Sequence, residues 1–330
     1  MTTRFQEALF SALASEPHEA ELQRCLVRTG ALLERPVLVR LGLYALQALG
    51  HASDDELATA HSLRQAHASR ALGAGTRWTE SNFALLLPRE LSSEVLELGQ
   101  SLSAAWLEVA PDAPEKHGLR RRSRLGSREP HPLREELKSV LGSFGLTLAD
   151  SFGSEREPHA LYPLRQPGTA QRWVIGRDVQ TRGPRPALLR SLPLMAASRA
   201  QLLGLWDEDP SKVCARARLL LAAAGALSDP LLSAEAAVLA PKLPRVRRAA
   251  LTQAYARLDD PEQALQQLAQ GMLSLGQRAA LIACADLVEA ASVFGGGSPS
   301  LLATSSGTAL LRFWLSPACA ELLSQSQVSI

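Results

Sequence analysis

Histidine side chains are the first candidates for metal chemistry in this sequence. A helical zinc-peptidase motif, HExxH, needs two of them four residues apart, with a glutamate after the first. The chain contains seven, at positions that do not give this spacing: His18, His51, His61, His67, His117, His131 and His159. His18 and Glu19 begin such a motif, but Leu22 stands where the second histidine is required. The sequence therefore predicts no metal site and no cofactor.

Motifs for nucleophilic catalysis and for nucleotide binding are also missing. The chain has no GxSxG elbow, no GxxxxGK[ST] phosphate loop and no GxGxxG fingerprint. Ser305-Ser306-Gly307 lies among small residues, which favours a helix cap over a nucleophile. Gly295-Gly296-Gly297 follows a helical pattern and not a strand, so it indicates a helix stop. We therefore expect that the protein is not an enzyme.

A cluster of arginines is the best candidate for contact with a polyanion. It comprises Arg120, Arg121, Arg122, Arg124 and Arg128. Such a cluster can pair with phosphates and release counterions. Aromatic residues that would stack on bases are absent from this stretch. Two interpretations stay open: a solvated basic linker, or a surface that contacts nucleic acid or an acidic partner.

Composition favours a helical protein of ordinary charge. Hydrophobic residues make up 46% of the chain but aromatic residues only 5%, and leucine and alanine dominate. The net charge of +2 does not indicate a polyanionic partner. Four cysteines without a CxxC pair suggest buried thiols in a reducing compartment. No signal peptide or membrane span is recognisable, so we expect a cytoplasmic protein without membrane insertion.

Periodicity divides the chain into three regions. Residues 1–110 read as helices at 4–14, 18–32, 36–49, 53–72 and 92–109. Gly50 suits a helix stop, and Ser53 with Glu56 forms a capping box for the next helix. Paired helices of this length suggest a helical-hairpin, tetratricopeptide-like array, although no repeat consensus fits well.

Residues 111–131 read as a basic linker that should be exposed and mobile, because they carry many like charges and few apolar residues. A helix follows at 133–144. Three strands of a small sheet are then predicted at 146–152, 159–164 and 172–176. From residue 185 the chain is helical again, with helix starts expected at Pro210, Pro230, Pro244 and Pro261.

Several of these segments together resemble a region found in large bacterial tetratricopeptide proteins. That region is similar to a degenerate zinc peptidase domain of the HtpX type, a gluzincin-like fold. The segments that carry the resemblance are Leu85–Pro88, the helix Pro132–Phe144 with Gly145-Leu146-Thr147-Leu148, the strand Trp173-Val174-Ile175-Gly176, the helix Pro186–Arg199 and the helix Gln277–Leu287. The resemblance implies a mainly α fold with a small β-sheet (α+β), in which residues 132–330 form the peptidase-like domain.

Departures from the family pattern imply that catalysis has been lost. In active members a helix carries HExxH, whose histidines bind zinc while the glutamate acts as general base. The resemblance places Leu192-Pro193 at the His-Glu pair and Ala196 at the second histidine. Leu273, four residues before Gln277, stands at the third ligand. Leucine and alanine cannot hold a Lewis acid, so the resemblance implies a pseudoenzyme.

These observations favour a noncatalytic protein-protein interaction or scaffold module built on a pseudo-peptidase fold. Its partner would be another protein, which could add a strand to the edge of the sheet. Two alternatives remain: a regulatory protein that contacts nucleic acid or an acidic partner through the arginine cluster, and an enzyme with an unrecognised site.

The purified protein should contain only substoichiometric zinc, because the vestigial positions carry no zinc ligand. Elemental analysis by plasma mass spectrometry measures this directly. One zinc per chain that survives dialysis against a chelator would show that the ligands lie elsewhere.

Overall fold

The structure, a computed structural model, describes residues 2–67, 72, 78–120, 123–125, 132–166, 168, 170–179, 184–295 and 299–327. It is mainly helical with one small sheet in the described part, as the sequence predicts. The helices are α1 Thr2–Ser15, α2 Ala20–Leu32, α3 Pro36–Ala48, α4 Asp54–His67, α5 Glu80–Ala84, α6 Ser93–Val109, α7 Pro132–Ser143, α8 Pro184–Arg199, α9 Pro210–Ala224, α10 Ser233–Leu239, α11 Arg245–Ala256, α12 Pro261–Cys284, α13 Leu287–Phe294, α14 Ser305–Trp314 and α15 Pro317–Gln327. Among the described residues, no helix is long and apolar enough to cross a bilayer.

Local signals located most helix ends. The capping box at the start of α4 forms as predicted: the Ser53 amide donates to Glu56 Oε2 at 2.8 Å, and the Glu56 amide donates to Ser53 Oγ at 3.3 Å. Pro210 and Pro261 begin helices, and Pro244 is the N-cap of α11. Pro230 does not begin a helix, contrary to the prediction: it lies in the turn before α10, which begins at Ser233. The short helix α5 was missed because it spans barely one turn.

Backbone contacts divide the chain into two compact units. Unit 1 contains residues 1–86 and 277–330, and unit 2 contains residues 87–276. These limits depart from the predicted boundaries near residues 110 and 131. The predicted boundaries followed composition, whereas the units are set by which helices share a core. The end of the chain belongs with its beginning, which no local pattern in the sequence indicates.

Helix α3 is the centre of unit 1. It contacts α2 and α4 along the chain and also α13, α14 and α15 from the end of the chain. Nine of its residues are buried: Val37, Leu38, Arg40, Leu41, Gly42, Leu43, Tyr44, Ala45 and Leu46. In a repeat array each helix pair contacts only its sequence neighbours. Unit 1 is therefore a bundle closed by distant segments, which corrects the helical-hairpin array expected for residues 1–110.

Polar and aromatic contacts fix the C-terminal helices against α3. The Trp314 indole donates to the Leu41 carbonyl at 2.8 Å, and its ring stacks on Tyr44 with centroids 6.2 Å apart. The Arg64 guanidinium carbon lies 5.1 Å from the centroid of the Tyr44 ring, and Arg64 Nε lies 2.5 Å from Asp286 Oδ2. Asp286 in turn caps α13 through the amides of Val288 and Glu289. Burial raises the pKa of the Tyr44 phenol, so the ring stays neutral.

Unit 2 combines a helical part with the sheet. Helices α10 and α11 each pack on α9, and α6 packs on α9 and α11. The strands are β1 Thr147–Ser154, β2 Leu161–Pro163 and β3 Ala170–Gly176, close to the three predicted segments. They contain 8, 3 and 7 residues, so the described sheet is small, as predicted. Helix α7 packs on β1, and α8 packs on β2.

The order of strands in the sheet is β1-β3-β2. The central strand β3 pairs parallel with β1, from Thr147 opposite Ala170 to Ser154 opposite Gly176. It pairs antiparallel with β2, where Tyr162 lies opposite Val174. Trp173 and Val174 are fully buried in β3, as expected for a strand covered on both faces.

Part of the predicted linker 111–131 is attached to the sheet, although its described residues other than Leu119 are exposed or half-buried. Leu119 is buried in a cluster with Phe152, Leu164 and Val174. Arg124 forms a β-bridge with Phe152, and the Leu125 amide donates to the Ser151 carbonyl at 2.8 Å. The segment thus covers part of the outer edge of β1. Residues 121, 122 and 126–131 lie outside the described part of the chain.

Two residues that follow helices have a left-handed backbone conformation, and substituting each of them tests its effect on stability. Gly50 follows α3 at φ +74°, and Ala285 follows α12 at φ +53°. A side chain in this conformation costs roughly 1–2 kcal/mol. Ala285→Gly should therefore raise the free energy of unfolding by about 1 kcal/mol, and Gly50→Ala should lower it by a similar amount. Chemical denaturation measures both. Equal signs for the two variants would contradict the assigned backbone conformations.

Candidate anion-binding site

Parallel pairing brings the ends of two strands together. Ser154, the last residue of β1, lies opposite Gly176, the last residue of β3. In open sheets, ligands bind in the crevice outside the carboxyl ends of parallel strands. The residues that follow these ends are Glu155 with Arg156, and Arg177. This carboxyl edge is therefore the place in the fold where charged side chains converge.

A cavity of about 700 Å³ opens at this edge. Its floor is formed by the strand ends, and its opposite wall by the segment that covers β1. We call it the basic pocket. Its lining residues are His117, Gly118, Leu119, Arg120, Ser123, Arg124, Leu125, Gly153, Ser154, Glu155, Arg156, Ile175, Gly176 and Arg177. Four of these are arginines and one is an acid, so the pocket carries an excess of positive charge.

The four arginines differ in whether an acidic side chain already neutralises their charge. Arg124 pairs with Asp150, and Arg177 Nε lies 3.1 Å from Asp178 Oδ1. The side chains of Arg120 and Arg156 are exposed and make no ion pair with any residue that the structure describes. Two guanidinium groups thus remain available for a ligand that bears negative charge.

A polar chain of contacts holds one wall of the pocket. His117 Nδ1 lies 3.1 Å from the Tyr162 hydroxyl, which donates to Glu157 Oε2 at 2.5 Å. His117 Nε2 lies 3.9 Å from Asp112. Burial and the neighbouring Glu157 carboxylate raise the pKa of the Tyr162 phenol well above its usual value. Tyr162 therefore stays protonated and keeps the imidazole of His117 in place.

Arg156 is positioned by the turn after the 3₁₀ segment Pro114–His117. Gly118 adopts φ +69°, and a Cβ added there would lie 2.7 Å from Arg156 Nη1. The guanidinium therefore lies directly against this glycine. The Glu157 amide donates to Ser154 Oγ at 3.2 Å, which turns the chain immediately after β1. A side chain at position 118 would displace Arg156 from the wall.

The structure describes two of the five arginines in the predicted cluster. Arg120 and Arg124 line the basic pocket. Arg121, Arg122 and Arg128 lie outside the described residues. Arg156 and Arg177 also line the pocket but are distant from the cluster along the chain, so the sequence did not link them to it; His117, three residues before Arg120, was not linked to it either. The available signal was the position of Arg156 and Arg177 just after two predicted strands, but it becomes informative only once the strands are known to be parallel.

The vestigial peptidase positions lie on two helices that meet. Leu192 and Ala196 are fully buried on α8, with Pro193 between them inside the helix. A Cβ on Gly276 of α12 would lie 2.6 Å from Pro193 Cβ, so the two helices are in close contact there. Leu273, one turn earlier on α12, is only half-buried, and Gln277 is buried. A carboxylate at position 273 should therefore cost less than expected for a closed apolar site.

The potential metal ligands and the cysteines of the described residues are the other groups with possible reactivity. Within the described ranges, no group of three or more His, Cys, Asp or Glu side chains is placed to hold a metal ion. Burial raises the pKa of the Cys214 and Cys319 thiols, which disfavours the nucleophilic thiolate. Cys319 is buried, whereas Cys25, Cys214 and Cys284 are half-buried, so the expectation of buried thiols holds fully for one of the four.

Comparison with known proteins adds no relative. No protein-family model matches the chain, and neither a curated protein nor a solved structure is significantly similar to it.

Substitutions in the wall of the pocket should show that packing contributes more than charge to the stability of this segment. Leu119→Ala removes a buried side chain from the sheet cluster and should cost about 2–5 kcal/mol of unfolding free energy. Replacing Arg120 by Ala, alone or together with Arg121 and Arg122, should change stability by under about 0.5 kcal/mol per position. Thermal and urea unfolding measure both effects. An unchanged unfolding free energy for Leu119→Ala would instead support the interpretation of this segment as a mobile linker.

Proposed function

We propose that the protein is a noncatalytic binding module and that the basic pocket holds a polyanionic group of its ligand, of the phosphate type. The observation that carries the proposal is the convergence of four arginines, from three separate segments, around one cavity at the carboxyl edge of β1 and β3. The proposal keeps the interaction role expected from the sequence, with the basic pocket as the proposed contact surface.

Phosphate suits this lining better than a nucleic-acid base does. Guanidinium groups match phosphate geometry through paired hydrogen bonds and stay charged at all physiological pH values. No Phe, Tyr or Trp is among the described residues that line the pocket, so it offers no stacking platform for bases. These features favour a compact oligophosphate group over single-stranded nucleic acid.

The contacts of His117 favour binding over catalysis. Its Nδ1 atom is engaged with Tyr162, and its Nε2 atom faces Asp112. Ser154 Oγ accepts a hydrogen bond from the Glu157 amide, and Ser123 Oγ accepts one from the Arg120 amide. No serine of the pocket is hydrogen-bonded to the histidine among the described contacts, so a base-activated nucleophile does not form here.

Strand addition by a partner peptide is less favoured than the sequence suggested. Residues 124 and 125 already bond to the outer edge of β1, and β2 on the other side offers only three residues. A long peptide strand therefore has no continuous free edge in the described sheet.

Descent from a peptidase fold is a second, separate proposal about the scaffold. The close contact of Pro193 with Gly276 supports it, since the resemblance requires α8 and α12 to meet. It concerns the origin of the fold and is compatible with a binding role at the basic pocket.

Calorimetric titration with inorganic tripolyphosphate tests the proposed function. Wild-type protein should bind the probe, and raising the salt concentration should weaken binding because charge attraction is screened. The double variant Arg120→Ala/Arg156→Ala should lose about tenfold or more in affinity, since charge-assisted hydrogen bonds contribute roughly 1.5–3 kcal/mol each.

Arg89→Ala is the matched control, because Arg89 is 93% exposed, belongs to the same unit and does not line the pocket. It removes one positive charge and should leave the affinity nearly unchanged. Equal losses in the control and in a single Arg120→Ala variant would indicate a nonspecific charge effect. Absence of binding to the wild type at low salt would refute the proposal.

A further inference from the structure

A second cavity in unit 2, of about 270 Å³, is lined by amide side chains. Four glutamines contribute to it, from α6, the stretch between β2 and β3, the start of β3 and the turn after α8: Gln100, Gln166, Gln171 and Gln201. We call it the glutamine cavity. Amides present both donors and acceptors without charge, so this lining differs in kind from the basic pocket.

Gln171 is the residue that points to a ligand. Its side chain is only 5% exposed, and its Oε1 atom accepts a hydrogen bond from the Trp173 indole at 3.1 Å. That bond fixes the amide orientation, so the NH₂ group is the free end. The NH₂ group has no hydrogen-bond partner among the residues that the structure describes. Gln171 lines the cavity, so an acceptor bound there could take a hydrogen bond from this donor.

Two other glutamines present the complementary atoms. Gln100 Nε2 donates to the Ala200 carbonyl at 3.1 Å, and Gln166 Nε2 donates to the Asp112 carbonyl at 2.8 Å. Because both amino groups are engaged with backbone, both Oε1 atoms are left to accept. These three residues all line the cavity, and they therefore supply one donor and two acceptors for a ligand.

The rest of the lining is apolar or neutralised. Ala104, Leu107 and Leu203 supply hydrocarbon surface. Glu108 and Arg247 also line the cavity, but Arg247 Nε bonds to Glu108 Oε1 at 2.8 Å, so the pair adds no net charge. A lining without net charge gives a charged ligand no counter-charge to pair with. The occupant is therefore expected to be neutral, with apolar faces and a polar edge.

We infer that the glutamine cavity binds a neutral planar heterocycle of the lactam type, as in a pyrimidine or purine base. Its ring carbonyl accepts from Gln171, and its ring N–H groups donate to Gln100 and Gln166. Glutamine side chains recognise the donor and acceptor edges of bases in this way. The volume admits one such ring system but no large ligand.

This site is separate from the basic pocket. Gln171 is the second residue of β3, whereas the basic pocket lies at its last residue, Gly176. At about 3.3 Å per residue the two ends are roughly 17 Å apart. Binding of a heterocycle can thus succeed or fail independently of oligophosphate binding.

Saturation-transfer NMR and calorimetry with uracil, cytosine, adenine and hypoxanthine test the inference on the full chain. At least one base should bind, and uracil should bind more tightly than uracil methylated on both ring nitrogens, which lacks N–H donors. Gln171→Glu keeps an oxygen for Trp173 but replaces the free donor by an acceptor, and should weaken binding at least tenfold. Gln263→Glu is the matched control, because Gln263 is exposed on α12 and outside the cavity.

A second variant keeps the test decisive if Gln171→Glu fails to fold. Ala104→Leu places extra volume in the cavity and leaves every amide unchanged, so it should abolish binding while circular dichroism remains that of the wild type. Binding that survives both variants, or that does not distinguish uracil from its methylated form, would overturn the inference. So would the absence of binding by all four bases at millimolar concentration.

Discussion

The parallel pairing of β1 with β3 is the constraint on which the basic pocket depends. Its hydrogen-bond ladder sets Ser154 beside Gly176, so that the residues after both strands emerge at one edge. An antiparallel pairing of the same two segments would send Arg156 and Arg177 to opposite ends of the sheet. The buried side chains of Trp173 and Val174 hold the register, because a slip by one residue would reverse the face of each.

The segment that precedes α7 completes this arrangement. Leu119 anchors it in the hydrophobic cluster of the sheet, and the bridge between Arg124 and Phe152 ties it to the edge of β1. These apolar and backbone contacts bring Arg120 and Arg124 opposite the strand ends. Burial of one leucine thus helps to gather positive charges that repel one another, and a bound anion would relieve that repulsion.

The two cavities of unit 2 show how environment selects ligand chemistry. At one end of β3, the exposed Arg120 and Arg156 make no ion pair with a described residue and favour anions. At the other end, Gln171 and the paired Glu108 and Arg247 make a lining that is polar without net charge. One strand therefore supports two sites whose electrostatics differ because their burial and ion pairing differ.

Unit 1 rests on a different constraint, the near-complete burial of α3. A helix that is apolar on most of its surface needs partners on all sides. Helices α2 and α4 supply only part of that cover, and α13, α14 and α15 supply the rest. Trp314 contributes the most specific contact, since its indole both stacks on Tyr44 and bonds to the backbone of α3.

Local sequence determined the helices and strands of this protein but not their assembly. Helix limits such as the Ser53–Glu56 capping box and strands such as 172–176 were predictable, because caps, periodicity and turn residues act over a few positions. The arginine cluster was also visible, and Arg120 and Arg124 line the pocket. Tertiary structure alone decided that Arg156 and Arg177 join them, that Gln171 faces a cavity, and that α13 to α15 enclose α3. These are pairings between residues far apart in sequence, where strand direction and shared burial, rather than local propensity, set which side chains meet.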